Sequence, residues 1–147
     1  MSSRSPALAF AAVGVAALLA GLYTGVGVYL PFLVSDRGVA PAFLLAVEAF
    51  GVVVSPLLPV AVGARFAAAF DLTDRLPLVV VATVVVADVG YGVGRLVAAL
   101  FSPDSVTAAS PVAVRAAAFA VDSTLAAVSI AVAVVAGAAV ARLRATA

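Results

Sequence analysis

The chain has 147 residues, of which 66% are hydrophobic and only 10% are charged, whereas soluble domains carry about 25% charged residues. It contains no Cys and no His, which excludes disulfides, thiolate chemistry, haem ligation by His and the common zinc sites. The net charge of +1 gives no reason to expect nucleic acid as a partner. The composition therefore predicts an integral membrane protein that has the lipid bilayer as its surroundings.

Four apolar runs are each long enough to cross a bilayer, which takes about 20 helical residues. Short polar connections separate them. The predicted fold class is all-α, a single transmembrane domain that forms a four-helix bundle with short loops. The predicted spans are residues 6–34, 41–63, 77–101 and 112–140.

The first run carries three glycines on one face, because Gly14, Gly21 and Gly25 recur at spacings of seven and four. Faces of small residues allow membrane helices to approach closely. Two interpretations follow, namely packing within the bundle and dimerisation through this face. Packing within the bundle is the favoured one, because glycine and alanine are common throughout the chain.

The second run contains Glu48 and, further along, Ser55, Pro56 and Pro59. The prolines predict a kink or a break near Ser55. Broken helices line the binding sites of many transporters, but proline is also simply more frequent in membrane helices than in soluble ones. The second explanation is favoured.

The most polar connection lies between the second and third runs. Phe66 and Phe70 are four residues apart, and this spacing predicts a short interfacial helix with both rings against the bilayer surface. Asp71 or Asp74 is the predicted N-cap of the third helix, with Pro77 in its first turn.

The distribution of arginine predicts the orientation. With four spans, both termini and the middle connection share one side, and the positive-inside rule places the arginine-rich side in the cytoplasm. We therefore expect a multi-pass protein of the cell membrane with both termini cytoplasmic. The arginines on that side are Arg4, Arg65, Arg75, Arg142 and Arg144, against Arg37 and at most Arg115 on the other.

Charged residues inside the apolar runs form a second pattern. Asp88 precedes Arg95 by seven residues, and Arg115 precedes Asp122 by seven, so each pair lies on one helix face. A charge at the bilayer centre costs about 2.5 to 3.5 kcal/mol. Counting residues from the connections places Glu48 level with Arg95. The sequence therefore predicts a buried polar cluster of these five residues, in which Arg95 faces inward and pairs with Glu48 or Asp122.

In size, in its four spans and in having one membrane glutamate, the chain resembles the small multidrug-resistance exporters, which work as dimers. In that family the glutamate lies in the first helix beside aromatic residues, whereas Glu48 lies in the second run and Trp is absent. No site residues are therefore transferred. Because His, Cys and HExxH are missing, and Asp88 and Asp122 lie in no recognisable protease signature, we expect neither an enzyme nor a cofactor.

Two functional hypotheses remain for the charged cluster. The favoured one is that it locks the helices together in a non-enzymatic structural or accessory component of a membrane assembly. The alternative is a small homo-oligomeric proton- or ion-coupled transporter or channel. This hypothesis rests on the excess of negative charge in the cluster, which has three carboxylates and two arginines. Asp88 is left without a cationic partner at its level.

Overall fold

The computed structural model describes residues 5–34, 41–70, 75–101 and 111–146, and the regular secondary structure in these residues is helical throughout. Four of its helical spans are long and apolar enough to cross a membrane, as the composition predicted. The second span, Pro41–Arg65, is continuous but changes helix type along its length. The elements are α1 (Pro6–Val34), α2 (Pro41–Val52), a π-helical segment (Val53–Leu57), α3 (Leu58–Arg65), α4 (Leu76–Ala99) and α5 (Val112–Thr146).

Helices α1 and α4 run in the same direction and pack through the predicted glycine face. A Cβ atom added at Gly21 would overlap the backbone carbonyl of Tyr91, and one added at Gly25 would overlap the Cβ atom of Ala98. Gly14 also lies against α4. The prediction that this face packs within the bundle is therefore confirmed, because only glycine leaves room for so close an approach.

Helices α3 and α5 form a second close pair, which is antiparallel. A Cβ atom at Gly63 would overlap the carbonyl of Val134, and one at Gly137 would overlap the carbonyl of Val60. Helix α5 also packs against α4, and α3 contacts α1. The four spans therefore form a ring in the order α1, α4, α5, α3.

A turn after α3 closes one end of this ring. Phe70 is buried, with its ring edge-on to that of Phe10 at a centroid distance of 5.7 Å. Arg142, near the end of α5, donates hydrogen bonds to the carbonyl oxygens of Ala67, 3.3 Å from Nη2, and of Phe70. These contacts correct the expected position of Phe70, which lies in the core instead of on the bilayer surface because the turn folds under the bundle.

The structure describes only part of the predicted N-terminal cap of the third helix. Helix α4 has Pro77 in its first turn, as predicted, and begins directly after Arg75, which makes no side-chain cap hydrogen bond. The candidate caps Asp71 and Asp74 lie outside the described residues.

The opposite end of the molecule is packed much less. In α2 only Gly51 is buried, and α2 meets α1 where the Phe50 ring lies 6.1 Å from that of Tyr23. Residues 112–118 at the start of α5 are all exposed. We call α2 together with residues 112–122 of α5 the open end.

The closed end consists of the beginning of α1, the beginning of α4, the stretch from α3 through the turn, and the later part of α5. In residues these are 6–17, 58–70, 76–87 and 127–146. Because α1 and α4 are parallel, the two poorly packed stretches that follow them in sequence lie at the same end of the bundle.

Candidate functional site

Three polar side chains lie on the face of α4 that meets α5. Asp88, Tyr91 and Arg95 are separated by three and four residues, so they follow one another along a single face. Antiparallel packing brings this face against the first half of α5, where Asp122 and Ser123 lie. The polar residues of two helices therefore meet at one interface within the spans.

Arg95 and Asp122 form an ion pair across that interface. The hydroxyl of Tyr91 donates to the same carboxylate, with 3.4 Å between Tyr91 Oη and Asp122 Oδ2. The guanidinium of Arg95 also lies over the ring of Phe119, 5.6 Å from its centroid, which adds a cation–π attraction. The Arg95 side chain is 22% exposed, but that of Asp122 is 50% exposed. The pair is thus sheltered on its α4 side and open on its α5 side.

Asp88, two turns before Arg95 in α4, has a different partner. Ser123 is buried, and its hydroxyl donates to Asp88 Oδ1 over 2.6 Å and lies 3.4 Å from the Asp88 carbonyl oxygen. Asp88, Arg95 and Asp122 together carry two formal negative charges and one positive charge. The network that these side chains form with Tyr91 and Ser123 therefore has a formal charge of −1.

The structure brings together three of the five residues predicted for the cluster. Asp88, Arg95 and Asp122 meet at the α4–α5 interface, and Asp122 is one of the two partners expected for Arg95. Arg115 is exposed near the start of α5. Glu48 is exposed on α2 and has no ion pair within the described residues. The depth predicted for Glu48 does not bring it into the cluster, because α2 packs mainly against the π-helical segment that follows it and makes no comparable contact with α4.

Sequence analysis missed Tyr91, Ser123 and Phe119 as members of this network. A signal for Tyr91 was present, because it lies on the same helical face as Asp88 and Arg95. For Ser123 the only signal in the sequence was its position beside Asp122, and for Phe119 it was the spacing of three residues from Asp122. Neither signal identifies a contact on α4, because that requires knowing how α4 and α5 are aligned along their lengths.

A cavity of about 260 Å³ lies beside the network. Every span contributes a hydroxyl-bearing residue to its lining, namely Thr24 of α1, Ser55 of the π-helical segment, Tyr91 of α4 and Ser129 of α5. Ser55 and Ser129 are exposed, so the cavity is open on one side. Tyr91 thus joins the cavity to the ion pair, because its hydroxyl reaches Asp122.

The π-helical segment forms where the sequence predicted a kink or a break near Ser55. Pro56 lies inside it and has no N–H group, so no α-helical hydrogen bond can form to the carbonyl four residues earlier. The amide of Leu58 donates to the carbonyl of Val53, five residues back. Pro59 in turn leaves the carbonyl of Ser55 without its α-helical donor. The second span is therefore irregular in its hydrogen bonding but remains a continuous helix. π-helical turns are frequent at functional sites.

No protein-family model matches the chain, and comparisons with the curated proteins and with the solved structures found no match.

Proposed function

We propose that the protein is a non-enzymatic component of a larger assembly in the cell membrane, and that neighbouring protein covers its open end. The observation that carries the proposal is the exposed carboxylate of Glu48 on an apolar helix. Glu48 is seven residues after Pro41, about 10 Å along the helix. Its side chain is too short to reach water from that depth, unlike lysine or arginine.

The half-exposed carboxylate of Asp122 supports the same proposal. It lies ten residues after Val112, about 15 Å into α5. Ionisable side chains within a membrane span almost always face protein or a water-filled cavity, because lipid does not solvate them. A protein neighbour across the open end would provide polar groups for both carboxylates.

The exterior of α4 differs from the open end. The exposed side chains along α4 are apolar, and they follow one another at helical spacings of three and four. Such a stripe suits lipid chains directly and requires no partner. The stripe consists of Leu78, Val81, Val85 and Val89.

The arginine distribution supports an orientation with the closed end in the cytoplasm. Arg65, Arg75, Arg142 and Arg144 lie at that end or at its connection, and positively charged residues are retained on the cytoplasmic side. The open end then faces the outer leaflet, and the neighbours that cover it approach from that half of the membrane.

Extraction from native membranes in a mild detergent, followed by mass determination and identification of co-purified chains, tests the proposal. We expect a defined complex that contains either further subunits or several copies of this chain. A monodisperse single chain, obtained in several mild detergents, would contradict it.

A second candidate function is a homo-oligomeric proton- or ion-coupled transporter. The observation that favours it is the cavity, which adjoins the network of Asp88, Arg95 and Asp122 and is lined from all four spans. Purified protein in liposomes should then carry a proton or cation flux. Unchanged flux in Asp88→Asn would remove Asp88 from the pathway, and absence of flux in the intact protein would remove this candidate.

A further inference from the structure

Three of the four hydroxyl-bearing residues around the cavity donate their protons elsewhere. Thr24 Oγ1 donates to the carbonyl of Ala20 over 3.0 Å, and Ser129 Oγ donates to the carbonyl of Leu125 over 3.0 Å. The Tyr91 hydroxyl donates to Asp122. A hydroxyl oxygen that has donated its proton still offers two lone pairs. The lining therefore presents hydrogen-bond acceptors from three separate helices.

The fourth wall, formed by Ser55 and Pro56, adds a further hydroxyl oxygen and no backbone donor from the proline. The carbonyl of Ser55 lacks its α-helical donor because Pro59 stands four residues later. A ligand that suits such a lining is one that attracts oxygen lone pairs, that is, a cation.

The charge of the residues around the cavity favours a monovalent cation over a divalent one. Among the described residues that line the cavity there is no carboxylate, whereas Ca²⁺ and Mg²⁺ are normally held by carboxylates. Neutral oxygen atoms, in contrast, replace the hydration shell of K⁺ in membrane channels. The adjoining network has a formal charge of −1, which compensates one positive charge across the hydroxyl of Tyr91. The volume of about 260 Å³ leaves room for the ion together with several waters.

We propose that this cavity is a binding site for a hydrated monovalent cation, with Thr24, Ser55, Tyr91 and Ser129 as its oxygen ligands. This site goes beyond the proposed function, because it lies between the helices of a single chain and does not depend on what covers the open end.

Thermal unfolding of the purified full chain in detergent tests the site, with NaCl or KCl exchanged for choline chloride at constant ionic strength. A cation that binds only the folded state raises the melting temperature as its concentration exceeds the dissociation constant. We expect Na⁺ or K⁺ to raise it above the value in choline. Equal melting temperatures in all three salts would show that the cavity holds water only and would overturn the proposal.

A matched pair of variants locates the effect. Thr24→Val removes a cavity oxygen and keeps the shape, and should weaken the apparent cation affinity about tenfold. Thr124→Val removes an equivalent hydroxyl, which donates to Ala120 over 2.9 Å outside the cavity, and should leave the cation response unchanged. Equal responses in the two variants would overturn the proposed ligands. Ser129→Ala provides the same test should Thr24→Val fold poorly.

Discussion

The two ends of this small bundle are packed differently. At the closed end, backbone meets backbone at Gly63 and Gly137, Phe70 is buried, and Arg142 holds the turn through two carbonyl groups. At the open end, α2 is almost entirely exposed and carries Glu48. The chain therefore satisfies its own polar groups at one end and leaves an ionisable side chain on the surface at the other.

The difference follows from what holds membrane helices together. Lipid chains are as apolar as leucine, so burying another leucine between helices gives little stability. Close backbone approach and polar contacts stabilise the bundle instead. The closed end has both, whereas α2 has no comparable glycine contact with α4 or α5 within the described residues.

Enlarging a glycine at the closed end should have the largest effect. In Gly137→Leu the new side chain would overlap the Val60 carbonyl, so α3 and α5 must separate, and we expect a loss of about 3 kcal/mol. Gly27→Ala is the control, because nothing lies within 4 Å of an added Cβ there. Unfolding in SDS, followed by circular dichroism, measures both. Equal losses would contradict the close helix contact.

Breaking the ion pair should have the next largest effect. Arg95→Ala leaves the Asp122 carboxylate without its cation and should destabilise the protein by about 2 kcal/mol. Adding Asp122→Asn should recover part of that loss, because it removes the unpaired charge. Adding Glu48→Gln should recover none, since Glu48 lies on α2, which makes no comparable contact with α4. A recovery with Glu48→Gln in the same unfolding assay would show that α2 packs against α4.

Removing the guanidinium that holds the turn should have a smaller effect. Arg142→Gln shortens a side chain that donates to the carbonyls of Ala67 and Phe70, and we expect a loss of about 1.5 kcal/mol. Arg144→Gln, two residues later on an exposed position, should change stability by less than about 0.5 kcal/mol. Hydrogen exchange should increase at residues 66–70 in the first variant alone. The same exchange in both variants would refute the role of Arg142.

Neutralising Glu48 should have the smallest effect on the isolated chain. Glu48→Gln should change its unfolding free energy by less than about 0.5 kcal/mol, because the side chain is exposed. In native membranes the same variant should reduce the amount of co-purified protein. The opposite result, in which Glu48→Gln destabilises the isolated chain but leaves the amount of co-purified protein unchanged, would contradict the roles assigned to the two ends.

Much of the bundle could be predicted from the sequence because membrane spans have a strong compositional signal. The four apolar runs, the glycine face of α1 and the irregularity near Ser55 each depend on residues close together in the chain. The partner of Arg95 was narrowed to Glu48 or Asp122 by counting depth along the helices, which antiparallel order makes possible.

The remaining features depend on contacts between distant residues. Depth alone placed Glu48 beside Arg95, but the packing of α2 against the π-helical segment has no signature in a single sequence. Phe70 has the spacing of an interfacial residue, and its burial depends on how the turn meets Phe10 and Arg142. The lining of the cavity likewise includes one hydroxyl-bearing residue from each of four spans, and none of these residues is conspicuous in its own helix.

Photo-crosslinking in native membranes tests most directly whether protein covers the open end. The chain has no Cys, so single-cysteine variants place a benzophenone probe at one position each. Leu45→Cys on α2 and Leu78→Cys on the apolar stripe of α4 are matched, with 71% and 65% exposure. We predict crosslinks to protein from position 45 and to lipid from position 78. Lipid adducts alone from both positions would contradict a covered open end.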